Sequence, residues 1–188
     1  LEERCRGWGS IGMSGIRVIS GSARGRRLEQ VSGSGTRPIS DRVKEALFNI
    51  IGHDVVDSTM LDLFAGTGSV GVEALSRGAS RVVFLDTNRK AVKTIRNNLQ
   101  LTGFGNKCEI FQKDALTYLD DEPQEGFDFV YVAPPQYQGL WWETLLRVDK
   151  SPEWLNVHGW IVAQIHPSEF SEKTLRRLAL IDRRRYGN

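Results

Sequence analysis

A doubly wound α/β fold, a mostly parallel sheet with helices on both faces and right-handed crossovers, is what this 188-residue sequence predicts. Three observations carry the prediction. From residue 60 to residue 165, short apolar runs alternate with longer segments of helical period. The first run leads into a glycine turn, Phe64-Ala65-Gly66-Thr67-Gly68-Ser69-Val70-Gly71, that opens a helix. The ends of the runs are polar (Asp62, Asp86, Asp114 and the proline pair after Val132), and the carboxyl edge of a parallel sheet is where ligands bind. A composition of 40% hydrophobic and 26% charged residues fits an ordinary globular core.

In chain order, residues 1–15 are expected to be a tail or vector remnant without the apolar core of a secretory signal. Residues 16–188 are expected to form a single domain, with 16–35 as a basic hairpin extension. Within that extension, 16–28 reads as two short strands about a Gly/Ser turn. After the Gly/Ser stretch, Ser40 can cap a helix whose apolar face is Val43, Ala46, Leu47, Ile50 and Ile51, ending at Gly52. Strands are then expected over 60–64, 81–86, 107–111, 127–132 and 159–165. The helices between them are expected over 69–77, 88–101, 115–119 and 140–148.

Charge and rarer residues narrow the function classes. Net charge is +2, yet residues 1–45 hold nine basic side chains against five acidic ones. A cationic hairpin beside a nucleotide fold points to phosphate-backbone contact, with an arginine-rich solvated terminus as the plain alternative. No apolar run approaches the ~20 residues of a membrane span. Cys5 and Cys108 make no disulfide framework, which favours a reducing compartment. His53, His158 and His166 do not cluster with other ligand types, so no metal is expected.

Gly66, Gly68 and Gly71 satisfy G-x-G-x-x-G, and Asp86 closes the next apolar run. Alone, that is a dinucleotide fingerprint, with glycines admitting the ligand and the carboxylate accepting from ribose hydroxyls. Asp62 changes the reading. A carboxylate beside the turn repels a pyrophosphate and pairs with an amino or sulfonium group, as in S-adenosylmethionine. A nicotinamide dehydrogenase remains the alternative, but leaves Asp62, the proline pair and the basic hairpin unexplained.

The second chemical signal is Tyr131-Val132-Ala133-Pro134-Pro135-Gln136-Tyr137. Two prolines fix φ and remove two backbone donors, so the carbonyls of Ala133 and Pro134 can be held toward a pocket. Such a turn can accept from an exocyclic base amine. Tyr137, or alternatively Trp141 or Trp142, could stack on the base. For the tryptophans core packing is favoured, and for Tyr137 both readings stay open.

The run Thr36-Arg37-Pro38-Ile39-Ser40-Asp41-Arg42-Val43-Lys44-Glu45-Ala46-Leu47-Phe48-Asn49, residues 61–71 with Glu73-Ala74-Leu75-Ser76-Arg77-Gly78-Ala79, and the 17–28 hairpin closely resemble the RsmD family. The resemblance runs from Ile16 to the end, where 183–188 looks like the lead-in to a last strand. It implies a Rossmann-like class I S-adenosylmethionine methyltransferase acting on the exocyclic N2 of one guanine in 16S ribosomal RNA. It further implies that Asp62 and the turn Phe64, Ala65, Gly66, Thr67, Gly68 hold the methionine moiety. Asp86, with Thr87 beside it, would hold the ribose, and Asp114 with Ala115 the adenine. Ala133, Pro134, Pro135 and Tyr137 would receive the target base. Arg17, Arg24, Arg26, Arg27 and Arg37 would face RNA, and Arg42 the cofactor mouth.

One departure stands out. The family pattern is Asp-Pro-Pro followed by an aromatic; here Ala133 replaces the acid and Gln136 the aromatic, with Tyr137 one residue later. Either backbone carbonyls position the amine and its proton leaves to water after attack, or the chain is a catalytically impaired RNA-binding or ribosome-assembly protein. The first reading is favoured, since the amine need lose its proton only once methylated. The Ala-Pro-Pro-Gln-Tyr form resembles that of cyanobacterial and plastid relatives. The implied partner is 16S ribosomal RNA or an assembling small subunit, met by a monomer without membrane contact. The implied location is the cytoplasm of a bacterium or, for a plastid-targeted chain, the chloroplast stroma.

Overall fold

The computed structural model describes residues 15–33 and 39–186. Arg37 and its neighbours Thr36 and Pro38 lie outside the described residues, as do residues 1–14. Ten elements order the chain: α1 Asp41–Ile51, β1 Thr59–Asp62, α2 Ser69–Ser76, β2 Arg81–Leu85, α3 Arg89–Thr102, β3 Cys108–Phe111, α4 Ala115–Leu119, β4 Phe127–Val132, α5 Leu140–Lys150 and β5 Leu155–Ala163.

The five strands pair in parallel in the order β3-β2-β1-β4-β5. Strand order reverses at β1, so β1 and β4 flank the switch point where such sheets open a crevice. Alternate side chains supply the two faces. Met60, Val82, Phe84 and Phe129 pack with α1, α2 and α3, while Leu61, Val83, Leu85 and Val130 pack with α4 and α5. The doubly wound expectation holds, and α4 and β4 keep their expected bounds. Strand β5 begins at Leu155 rather than 159, because Phe127 pairs with Leu155 and Phe129 with Trp160 across an excursion in β5. His158 at φ 70° and the 86% exposed Val157 turn out there, so no alternation marked it.

Helix α1 is capped by Ser40, whose Oγ accepts from the Val43 N–H. Its buried face is Lys44, Leu47, Phe48 and Ile51, with Val43, Ala46 and Ile50 only half-buried. The face is rotated from the expected one because a cation is drawn inward. Lys44 is fully buried, its Nζ 3.5 Å from Glu73 Oε2 and donating to the Arg17 carbonyl at 2.6 Å. Glu73, also fully buried, accepts from the Ile19 and Ser20 N–H groups at 2.8 and 2.9 Å and pairs with Arg77.

This network pins the N-terminal segment onto α2. The hairpin is present, but its ladder is a single antiparallel bridge, Arg17 with Arg27. The Val18 N–H donates to the Arg26 carbonyl and the Leu28 N–H to the Ile16 carbonyl. Gly21, at φ +80°, lies so close to α2 that a Cβ would stand 1.7 Å from the Ser76 carbonyl oxygen, which only glycine allows.

Candidate active site

The glycine turn is held from both sides. The Ala65 N–H donates to the Leu85 carbonyl, and the Gly66 N–H donates to Asp86 Oδ2 at 2.8 Å. Asp86 Oδ1 accepts from the Asn88 N–H at 2.8 Å, so this carboxylate fixes the turn through one lone pair on each oxygen. Burial raises its pKa, and the two N–H groups counter that. Gly71 serves packing: a Cβ there would meet the Phe84 ring at 2.3 Å. Among the described residues a Cβ on Gly66 would meet nothing within 4 Å.

A third tie comes from Asn98, a residue the sequence reading missed. Its fully buried amide donates to the Thr67 carbonyl at 2.9 Å and the Glu29 carbonyl at 3.1 Å, and accepts from the Glu29 N–H at 2.7 Å. The signal was its place on the buried stripe of α3, after Ala91 and Ile95 at spacings of four and three.

Asp62 ends β1 beside the turn with only 1% of its surface exposed. Burial, then the charge of Asp86, pushes its carboxyl up to about 7, while the N–H groups of Gly71 and Phe64 pull the other way. Its Oδ1 has no hydrogen-bond partner among the described residues. A buried acceptor without a donor costs roughly 1–3 kcal/mol, and an ammonium group would supply that donor. The residues therefore fit the amino-acid end of S-adenosylmethionine.

Of the other expected cofactor residues, Phe64, Thr87, Asp114 and Ala115 follow strand ends at the same sheet edge with unequal freedom, while nothing among the described residues brings Arg42 to it. Asp114 is exposed and caps α4, its Oδ1 accepting from the Thr117 N–H and hydroxyl. Ala115 is buried behind it and Phe64 is half-buried. Thr87 is exposed, its carbonyl accepting from Gln112. Arg42 is exposed on α1 and enters no ion pair among the described residues.

Across the switch point, Ala133 and Pro134 are half-buried and Pro135 is exposed. The Gln164 N–H donates to the Val132 carbonyl at 2.8 Å, and the buried Tyr131 hydroxyl donates to Gln164 Oε1. Among the described residues no hydrogen bond reaches the carbonyl of Ala133 or Pro134. Tyr137 takes a left-handed conformation at φ 64°. Its N–H donates to Glu169 Oε1 at 2.7 Å, and its 67% exposed ring lies 5.5 Å from that of His166. The segment 164–169 thus braces the proline loop, and the ring of Tyr137 is free on the outside rather than in the core. Trp141 is buried against α4 and Trp142, which makes it a packing residue.

The hairpin arginines divide. Arg17 pairs with Asp41 and Arg26 donates to the Leu101 carbonyl at the end of α3. Arg24 and Arg27 are exposed without an ion pair among the described residues.

An anion at Asp62 would repel the pyrophosphate of a nicotinamide cofactor, whereas its unpaired oxygen suits an ammonium. With this sheet order, that places the chain among the Rossmann-like S-adenosylmethionine-dependent methyltransferases. Residues 16–188 match the family described as conserved hypothetical protein 95, and the chain belongs to it, the RsmD family of the resemblance above. It is similar to YlbH of Bacillus subtilis, 36% identical over 174 residues covering 92% of this chain and 94% of that one. It is also similar to ribosomal RNA small subunit methyltransferase D of Escherichia coli, 38% identical over 136 residues, covering 71% of this chain and 67% of that one. Among solved structures, yhhF of Escherichia coli superposes with a TM-score of 0.67 at 34% identity, covering 75% of each chain.

Proposed function

We propose that this methyltransferase modifies the exocyclic N2 of a guanine in small-subunit ribosomal RNA, on free 16S RNA or an assembling subunit. The observation that carries the proposal is the pair of carbonyls on the braced proline loop that no hydrogen bond reaches among the described residues, across the switch point from Asp62. Relatives named for small-subunit RNA methylation support the choice of substrate. Bound S-adenosylmethionine supplies an electrophilic methyl group. The guanine amine donates its hydrogens to the carbonyls of Ala133 and Pro134, which orients the nitrogen lone pair toward that methyl. Transfer of that methyl would leave S-adenosylhomocysteine, and the methylated nitrogen would then shed a proton to water, so no acid would be required at position 133. Tyr137 stacks on the base from the loop's exposed side. Residues 16–188 work as one monomeric domain, in the cytoplasm of a bacterium or in a plastid stroma.

Labelled S-adenosylmethionine and unmodified small-subunit particles test this. The parent is expected to transfer label, and Pro134→Gly to lower turnover about 10- to 100-fold while affinity for S-adenosylhomocysteine stays within about twofold. Ala133→Asp is expected to leave activity similar or modestly raised. No transfer by the parent, with clear gain on Ala133→Asp, would support the second reading that Ala133 favours, an impaired RNA-binding protein on this fold.

A further inference from the structure

We infer that the outer face of α3 is a docking surface for the phosphate backbone of RNA, continuous with the hairpin and reaching the cofactor mouth. The inference rests on the proposed ribosomal RNA substrate and adds a surface that the hairpin arginines alone did not suggest.

Helix α3, Arg-Lys-Ala-Val-Lys-Thr-Ile-Arg-Asn-Asn-Leu-Gln-Leu-Thr, contains four cations and no acid. Ala91, Val92, Thr94, Ile95, Asn98 and Leu99 are buried, and Arg89, Lys90, Lys93 and Arg96 are all exposed. None of the four forms an ion pair or a side-chain hydrogen bond among the described residues. Several cations on other elements are matched, Arg81 with Glu109 and Glu125, Lys113 with Asp121, and Arg147 with Asp120 and Glu143, whereas among the described residues no helix but α3 carries four cations without an acid. Glu29, the acid that touches α3, is engaged by the Asn97 amide at 2.8 Å.

The arrangement also works against the helix. Arg89 and Lys90 occupy its first turn, which has no acid, where the partial positive charge of the N-terminus disfavours cations. Arg89 and Lys93 are four apart, and Lys90, Lys93 and Arg96 are three apart, so like charges face each other along one side. Local rules broken without an internal partner mark a functional surface. A merely solvated face would carry mixed signs.

Position and charge identify the occupant. Arg89, Lys93 and Arg96 follow one another along the axis at about 0, 6 and 10 Å, a row of one sign that suits a polyanionic backbone. The face begins directly after Asn88, the cap that bonds Asp86. Lys90 Nζ lies 3.8 Å from where a Cβ on Gly33 would stand, against the N-terminal segment. At the other end Arg26 reaches the Leu101 carbonyl, so the hairpin abuts the last turn. One basic strip therefore runs from the cofactor edge to Arg26 of the hairpin.

The test is the triple variant Arg89→Gln, Lys93→Gln, Arg96→Gln, since glutamine keeps helix propensity. Its binding to an RNA duplex of about 20 base pairs and to small-subunit particles is measured across salt concentrations. The slope of log affinity against log salt is expected to shrink by about 2–3, with at least a tenfold loss of affinity near 0.1 M salt. Melting temperature should be unchanged or higher, because like-charge repulsion is removed, and S-adenosylhomocysteine affinity should be unchanged. An unaltered slope on the duplex overturns the inference, even if the parent methylates ribosomal RNA. Loss of binding to particles alone also overturns it, assigning the face to an acidic protein. A parent that binds RNA through this face but transfers no methyl group contradicts the proposed function and leaves the surface standing.

Discussion

Asp62→Asn is expected to weaken S-adenosylhomocysteine binding about 10- to 100-fold, the size of one lost charge-assisted hydrogen bond of roughly 1.5–3 kcal/mol. Its pH dependence should disappear as well. In the protein without cofactor, burial and the neighbouring Asp86 push the Asp62 carboxyl from 3.8 up to about 7. A folded-state value above the unfolded one makes the group's contribution to stability greatest below about pH 4; it declines as pH rises and is fully lost above about 7. An ammonium group on Oδ1 favours the ionised form, so binding releases a proton below pH 7. Affinity should climb up to tenfold per pH unit toward 7 and level off above it, and calorimetry in buffers of different ionisation heat reads the proton directly. Flat affinity between pH 5 and 7 in the parent would remove Asp62 from the ammonium site.

The largest expected loss of stability comes from Glu73→Ala. It strands the buried Lys44 ammonium and orphans the N–H groups of Ile19 and Ser20. Breaking a buried pair from one side costs about 3–5 kcal/mol, which for a chain of this length lowers the melting temperature by about 6–20 °C. Burial already lowers the pKa of Lys44, and Glu73 is the foremost group raising it. Without Glu73 the lysine is expected to shed its proton. The double variant Lys44→Met, Glu73→Leu removes both charges and, in thermal denaturation, is expected to recover the part of the loss due to the stranded ammonium, but not the part due to the Ile19 and Ser20 N–H groups, which still lack an acceptor. A change below about 1 kcal/mol for Glu73→Ala would mean the network adds nothing net.

That network also shows where sequence reading stops. Strands β1, β2 and β4 and helices α2 to α5 were legible because period and punctuation are local, with glycine turns and caps such as Asn88 and Asp114 written into the chain. The carboxylate at β1 and the glycine turn were legible for the same reason. Lys44 was not, because a buried lysine is explained only by a carboxylate 29 positions later on another helix, and periodicity assigns it to solvent. The braces on the proline loop, Gln164 and Glu169, lie 33 and 32 residues from their partners. Nothing in a residue's type announces such a contact. Arg17 and Arg26 counted as free charges in the sequence, whereas folding gives each an internal partner.

Nucleoside analysis of small-subunit RNA from unmodified particles, incubated with this protein and S-adenosylmethionine, tests the proposed activity most directly. One stoichiometric N2-methylguanosine is expected, present with the parent and absent without cofactor. A different methylated base, or no methylation of any RNA while the protein still binds S-adenosylhomocysteine, would contradict it.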